Sequence, residues 1–457
     1  MMNLLNRSVA VFSSALVAAA FAVAISPVTS HAAKVKLEKK KMDIQHVTSP
    51  GGITAWLVEE HSVPLIAMRF AFEGGSAQDL EGKEGVANLL TTMLDEGAGD
   101  LDASAFQDRM EDIAMRLNFS DGRDSFYGNF QTLTENRDAA TDLLRLALTE
   151  PRFDDAAVDR MRKQLISSLS FAEKNPNQVA SKLWAAIAFP NHPYGRAAKG
   201  TPETVASITP DDLRTYHKRV FAKSNLKVAV VGDITAAELG GLLDKVFGGL
   251  SEKPKLTEVA VTRPAAGTTK VVDLPVPQSV AVFGFEGLAR KDPDFIPAYV
   301  LNHILGGGGF SSKLMEEVRE KRGLAYSVYS YLQPYDRAAI FAGSVATQNE
   351  KLGESLDVIR AEIAQMATEG PSAEDLESAK SYLTGSYALR FDTSDKIASQ
   401  LLAIQKENLG IDYVNTRNDK ILEVTLDDIK RVAKRLLKPD DMIVAVAGQP
   451  QGVLARN

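Results

Sequence analysis

A stretch of 25 residues occurs twice in this chain, and the repetition constrains the fold more than any other feature. Ile208 to Gly232 reads ITPDDLRTYHKRVFAKSNLKVAVVG, and Val424 to Gly448 reads VTLDDIKRVAKRLLKPDDMIVAVAG, at a fixed offset of 216 with no gap. In each copy a Thr (Thr209, Thr425) stands just before an Asp-Asp pair. This is the pattern of an N-cap oxygen followed by acids in the first helical turn. The sequence predicts a helix of about a dozen residues, a turn, and a short hydrophobic strand (Val228–Val231, Val444–Ala447) closed by Gly. A second pair, Thr149 to Leu165 and Thr368 to Leu383, joins a Thr-Glu loop containing Pro to a long helix at a nearly equal offset. The segment Ser251 to Thr269 has two prolines, a Gly, several Thr and no lasting periodicity, and reads as a linker. The chain therefore divides into 33–250, a linker at 251–269, and 270–457: two similar α+β domains of ordinary size.

The beginning of the chain reads differently from the rest. Residues 1–32 carry one charge, Arg7, then an apolar run from Val9 to Ile25, then Ser30-His31-Ala32 with small residues at the −3 and −1 positions of a cleavage site. This is the layout of a secretory signal peptide, with an uncleaved anchor as the alternative, and it implies an exported, periplasmic protein. Cleavage would remove one positive charge, taking the formal net charge of −7 to −8. An acidic balance argues against nucleic acid or an anionic membrane surface as partner. With no cysteine in 457 residues, disulfides, thiolate metal sites and cysteine nucleophiles are excluded.

Four further segments carry the remaining signal. The first is a strand pattern from Leu65 to Phe72, a Gly74-Gly75 turn, and a helix pattern with Val86, Leu89, Leu90, Met93 and Leu94 on one face. The second is His192-Pro-Tyr-Gly195 followed by Gly200-Thr201. The others are Leu305-Gly-Gly-Gly-Gly-Phe-Ser-Ser-Lys-Leu314 and Arg319-Glu-Lys-Arg-Gly-Leu-Ala-Tyr326. Together and in this order they resemble the pitrilysin/insulinase class of zinc metallopeptidases, in its mitochondrial-processing-peptidase-like branch. The resemblance implies two homologous domains arranged as a clamshell, each an antiparallel-rich sheet with helices packed on it. It also implies a His-x-x-Glu-His zinc helix, with a third ligand, Glu, on a later helix.

Here the sequence departs from the family. The motif falls on Asn88, Thr91 and Thr92, and the third ligand falls on Ser168. Hydroxyls and a neutral amide cannot replace imidazole and carboxylate as zinc ligands, and Thr91 cannot act as a base near neutral pH. Outside the first 32 residues His46, His61, His192, His217 and His303 remain, and none has a second His three or four positions away. His192 reads as a brace for its own loop. No metal or other cofactor is expected in this chain.

The resemblance does extend to Arg319 and Tyr326, which match a pair that in active relatives binds substrate carbonyls and steadies the charged oxygen of the tetrahedral intermediate. A guanidinium and a phenol suit that role as preorganised donors. Gly306, Gly307, Gly308 and Gly309 lack the Gly-Lys-Ser/Thr ending of a phosphate loop and read as a turn close to substrate. The resemblance thus implies a subunit inactive alone, supplying the Arg/Tyr half-site to a homologous zinc-bearing partner in a heterodimer. The zinc would sit in the partner, and the pair would enclose an extended peptide added to a sheet edge. The alternative is a structural or peptide-binding scaffold of the same fold.

Overall fold

The structure is a computed structural model that describes residues 41–455. The signal-peptide expectation at residues 1–32 lies outside them. The first sheet contains β1 (Gln45–Thr48), β2 (Thr54–Glu59), β3 (Leu65–Glu73), β4 (Arg116–Asp121), β5 (Ser125–Leu133) and β6 (Leu226–Gly232), in the order β1-β2-β6-β3-β5-β4. The second contains β7 (Thr269–Asp273), β8 (Gln278–Glu286), β9 (Ser327–Pro334), β10 (Ala339–Gln348) and β11 (Ile443–Gly448), in the order β7-β11-β8-β10-β9.

Apart from β1, the two orders are one order. β2 runs parallel to β6 as β7 does to β11, and the remaining neighbours in both sheets are antiparallel. The repeated 25 residues occupy matching places: helix Pro210–Val220 leads into β6, and helix Leu426–Leu436 into β11. Thr209 and Thr425 close capping boxes with Asp212 and Asp428, so the reading of both as N-caps holds at atomic detail. Two mixed, mostly antiparallel sheets with helices packed on them confirm the expected fold class.

Alternation along the strands gives each sheet two buried faces. In the first half Met68, Phe70 and Phe72 of β3, with Val228 and Val230 of β6, face a core built with Leu89, Leu90, Leu144, Leu213 and Leu243 from that half's own helices. The opposite face, Ala71, Ala229 and Val231, is covered by Leu401, Leu402 and Ile404 of helix Ser394–Lys406, which belongs to the second half. The exchange is reciprocal. Helix Pro176–Ala188 of the first half lays Ala180, Trp184 and Ala188 on Val280, Val282, Ala445 and Ala447 of the second sheet. Gly284 makes room for it: a Cβ there would stand 3.0 Å from the Trp184 ring.

Polar contacts follow the same crossing. Arg69 of β3 meets Asp395 through two hydrogen bonds of 2.9 and 2.7 Å, and the Gln405 amide donates to the Val228 carbonyl at 2.8 Å. Residues 42–455 consequently pack as one compact unit. The segment 251–269 is strapped down on both sides. The Thr257 N–H donates to the Gln78 side chain, the Thr262 N–H to the Arg337 carbonyl, and the Ala265 N–H to the Ala188 carbonyl, at 2.7, 2.8 and 2.8 Å.

Candidate functional site

Helix Val86–Thr91 is shorter than its apolar pattern suggests, because the chain tightens after it: the N–H groups of Thr92 and Met93 bond back three residues, to Leu89 and Leu90. Its start is held by Asp79, whose carboxylate accepts the N–H groups of Gly85 and Ala87 at 2.8 and 3.0 Å. Burial pushes Asp79 up to about 8, against the pull of these two donors. The chain enters through Gly85 at φ 99°, where a Cβ would lie 2.8 Å from the Lys199 carbonyl oxygen, so only Gly fits.

The three positions of the zinc motif on this segment have turned inward to the protein. The Asn88 amide donates to Asp121 at 2.8 Å, the Thr91 hydroxyl to the Asn88 carbonyl at 2.7 Å, and the Thr92 hydroxyl to the Leu89 carbonyl at 2.8 Å. Burial raises Asp121, and the Asn88 donor opposes that shift. Ser168 is exposed on helix Asp155–Ala172. These residues do not fit a zinc ion. They supply no imidazole and no carboxylate, and the two hydroxyls are spent on the carbonyls of their own turn. Among the described residues no group of three or more His, Asp or Glu is placed to hold a metal.

The second half is arranged otherwise. Helix Phe295–Asn302 widens into a π-turn at His303–Gly307, and a second π-turn, Met315–Glu320, carries Arg319. Such wide turns cost regular hydrogen bonding and recur where side chains must be re-aimed. Arg319 and Tyr326, seven apart in sequence, come together: the guanidinium carbon lies 5.1 Å from the centre of the Tyr326 ring and 4.6 Å from that of Phe310. Tyr326 is 79% exposed and Phe310 67%. Phe310, directly after the glycine run, was not singled out from the sequence, although its place inside the same motif could have flagged it.

The four glycines divide by role. Gly306 is buried against β9, where a Cβ would meet the Ser330 hydroxyl at 2.4 Å, and Gly307 lies against Asn302 in the same way, at 2.6 Å. Gly309 is open, with φ 61°. The run therefore lets the π-turn approach β9 and then releases the chain at Phe310.

The segment His192–Gly195 ties the two halves together. His192 Nδ1 accepts the Tyr194 N–H at 3.1 Å and Nε2 reaches the Ala260 carbonyl at 3.0 Å, which is the bracing role expected for it, extended to the linker. Tyr194 is fully buried. Its hydroxyl donates to Asp124 in the β4–β5 turn and accepts the Arg337 N–H in the β9–β10 turn at 3.0 Å, while Asp124 accepts the Asp336 N–H at 3.1 Å. Matching hairpins of the two sheets are thus clasped by one phenol and one carboxylate.

Two family models cover most of the described chain. Residues 56–202 match insulinase (peptidase family M16), and residues 207–383 match the peptidase M16 inactive domain. The chain belongs to the insulinase (peptidase M16) family. Among its relatives is a protein of Helicobacter pylori named non-peptidase homolog YmxG, 27% identical over 391 residues, with 85% of this chain and 90% of the relative covered. A probable mitochondrial-processing peptidase subunit beta of Arabidopsis thaliana is 24% identical over 419 residues, covering 88% of this chain and 78% of the relative. The crystal structure of a peptidase M16 inactive domain from Pseudomonas fluorescens superposes with a TM-score of 0.84 at 28% identity, over 91% of this chain and 99% of that one. Within the M16 family this chain is an inactive homologue. The residues that the resemblance aligns with the zinc motif, Asn88, Thr91, Thr92 and Ser168, include no imidazole and no carboxylate.

Proposed function

We propose that this M16 homologue is the zinc-less subunit of an exported, periplasmic two-chain metallopeptidase, and that it contributes Arg319 and Tyr326 to a site completed by a homologous partner bearing His-x-x-Glu-His. One observation carries the reading: Arg319 and Tyr326 are adjacent and open, while the former zinc positions are satisfied within the fold. A scaffold has no use for an uncompensated guanidinium beside an exposed phenol. The kinship with a chain named as a processing-peptidase subunit supports a role as one member of a pair.

In this reading zinc chemistry belongs to the partner. What this chain does is donate: the Arg319 N–H groups and the Tyr326 hydroxyl bond the carbonyl oxygens of an extended peptide and hold the oxyanion as charge develops on it. The test is hydrolysis of a peptide substrate by each chain alone and by the mixture. Activity only in the mixture is the expected result. A complex that forms but gains no activity from this chain would leave the scaffold reading in its place.

A further inference from the structure

We propose that Arg319 is a carboxylate-binding subsite, which takes either the C-terminal carboxylate of an extended peptide or an Asp or Glu side chain within it. The proposal rests on reading Arg319 and Tyr326 as a peptide half-site, and names what that half-site selects.

Charge accounting in this segment singles Arg319 out. Lys313 pairs with Glu316 and Asp375, Lys321 with Glu316 and Glu317, and Arg322 with Glu317. The local carboxylates Glu316 and Glu317 are held below their usual range by these cations, first of all by Lys321. Arg319 has no ion pair and no side-chain hydrogen bond among the described residues; its contacts are the faces of Phe310 and Tyr326. A guanidinium lying over aromatic rings keeps its planar N–H edge for a ligand, and two parallel donors in one plane match the two oxygens of a carboxylate. A guanidinium carries five N–H donors, so a peptide carbonyl takes one part of the fork while a carboxylate of the same peptide takes two parallel donors and neutralises the charge.

The surroundings suit a peptide. β9 follows Tyr326 directly and pairs with β10 on one side only. Tyr329 and Tyr331 stand on one face of β9 with rings 6.2 Å apart, 48% and 39% exposed, and give this edge strand an apolar surface that is open to a ligand. An anionic group next to apolar side chains is the ligand pattern this describes.

The experiment measures binding to the full chain without any partner, by fluorescence anisotropy of three labelled peptides of alternating Ala and Phe. One ends in a free carboxylate, one in an amide, and one in an amide with a single internal Glu. The free acid is expected to bind about ten-fold or more tighter than the plain amide, the worth of one charge-assisted contact. Recovery of affinity by the internal Glu would identify side-chain carboxylates as ligands too, and its absence would assign the site to chain ends; both outcomes support the subsite. Arg319→Gln should abolish the difference and Arg319→Lys keep part of it. Binding of both the free acid and the Glu peptide no tighter than the plain amide, no measurable binding of any of the three, or a difference that survives Arg319→Gln would overturn the proposal. Failure of the proposed function looks different: a two-chain mixture could hydrolyse neutral peptides with no carboxylate preference. Equally, carboxylate selectivity of this chain would stand even if no mixture were active.

Discussion

Two regions of equal ancestry have reached opposite states. On the first half, the polar side chains of helix Val86–Thr91 and its cap all end on atoms of the protein itself: Asn88 on Asp121, and Thr91 and Thr92 on carbonyls one turn back. On the second half, Arg319 ends on two exposed rings and nothing that neutralises it. Satisfied polar groups stabilise a fold and leave no donor over, whereas a guanidinium without an ion pair keeps its N–H donors for water or a ligand. Under the proposed function, the first is a site closed on the protein itself and the second a site open to a ligand.

The largest expected effect tests whether the halves are energetically separate at all. Because each sheet is covered by the other half's helix, Trp184→Ala should destabilise the whole unit by about 3–5 kcal/mol and Leu401→Ala by about 2–5 kcal/mol. Both variants should unfold in a single transition, read by denaturant titration with probes in each half. Two resolved transitions would mean that the exchange is decorative.

Next comes the Arg319–Tyr326 pair. Arg319→Ala should lower the turnover of the two-chain mixture by about 10²–10³, or roughly 3–4 kcal/mol, while leaving complex formation intact by size. Thr92→Ala should leave turnover where it was. Equal losses from the two variants would erase the distinction between the halves.

A third test uses two buried groups that titrate in opposite senses. Burial holds His217 down at about 4, with Nε2 on the Leu148 carbonyl at 2.8 Å. As pH falls from its unfolded value near 6.5 toward 4, the unfolded chain gains a proton that the native one refuses, and stability declines. Asp79, raised to about 8, keeps a proton in the native state that the unfolded chain loses near pH 4, so its contribution declines as pH rises from about 4 to 8. Each slope is at most about 1.4 kcal/mol per pH unit, and between pH 4 and 6.5 they oppose each other. His217→Gln should unmask the fall toward alkaline pH, and Asp79→Asn the fall toward acid, in denaturant midpoints measured across pH. A wild-type curve unchanged by either substitution would show that these groups do not couple to folding.

Smaller effects belong to helix Val86–Thr91 and its cap. Asn88→Ala strips Asp121 of its donor and should cost about 1–3 kcal/mol. Thr92→Val, which removes one hydroxyl bonded to its own turn, should stay below about 1 kcal/mol.

How much of this the sequence discloses depends on how local the cause is. The capping boxes at Thr209 and Thr425 are written in four consecutive residues each, and both were legible. The common strand order follows from the repeat, since equal segments fold into equal places. The exchanged helices were not legible. Val179, Leu183, Trp184 and Ile187 announce an apolar face, but periodicity states that a face is buried and never against which sheet. Tyr194 shows the same limit: its motif marks a tight turn, while its partners, Asp124 and Arg337, stand 70 and 143 residues away. At the candidate site the positions of Arg319 and Tyr326 could be read, and the ring of Phe310 that completes the arrangement needed coordinates.

The crossed helices also set an order of events during synthesis. The inner face of the first sheet, Ala71, Ala229 and Val231, is complete once β6 has emerged, yet its cover, Ser394–Lys406, is made only after β7 to β10. Until then the nascent first half carries an uncovered apolar sheet and cannot settle into its final packing. A chain of this design settles its first half only after most of the second has been made, and until then it remains a client for whatever binds exposed apolar strands.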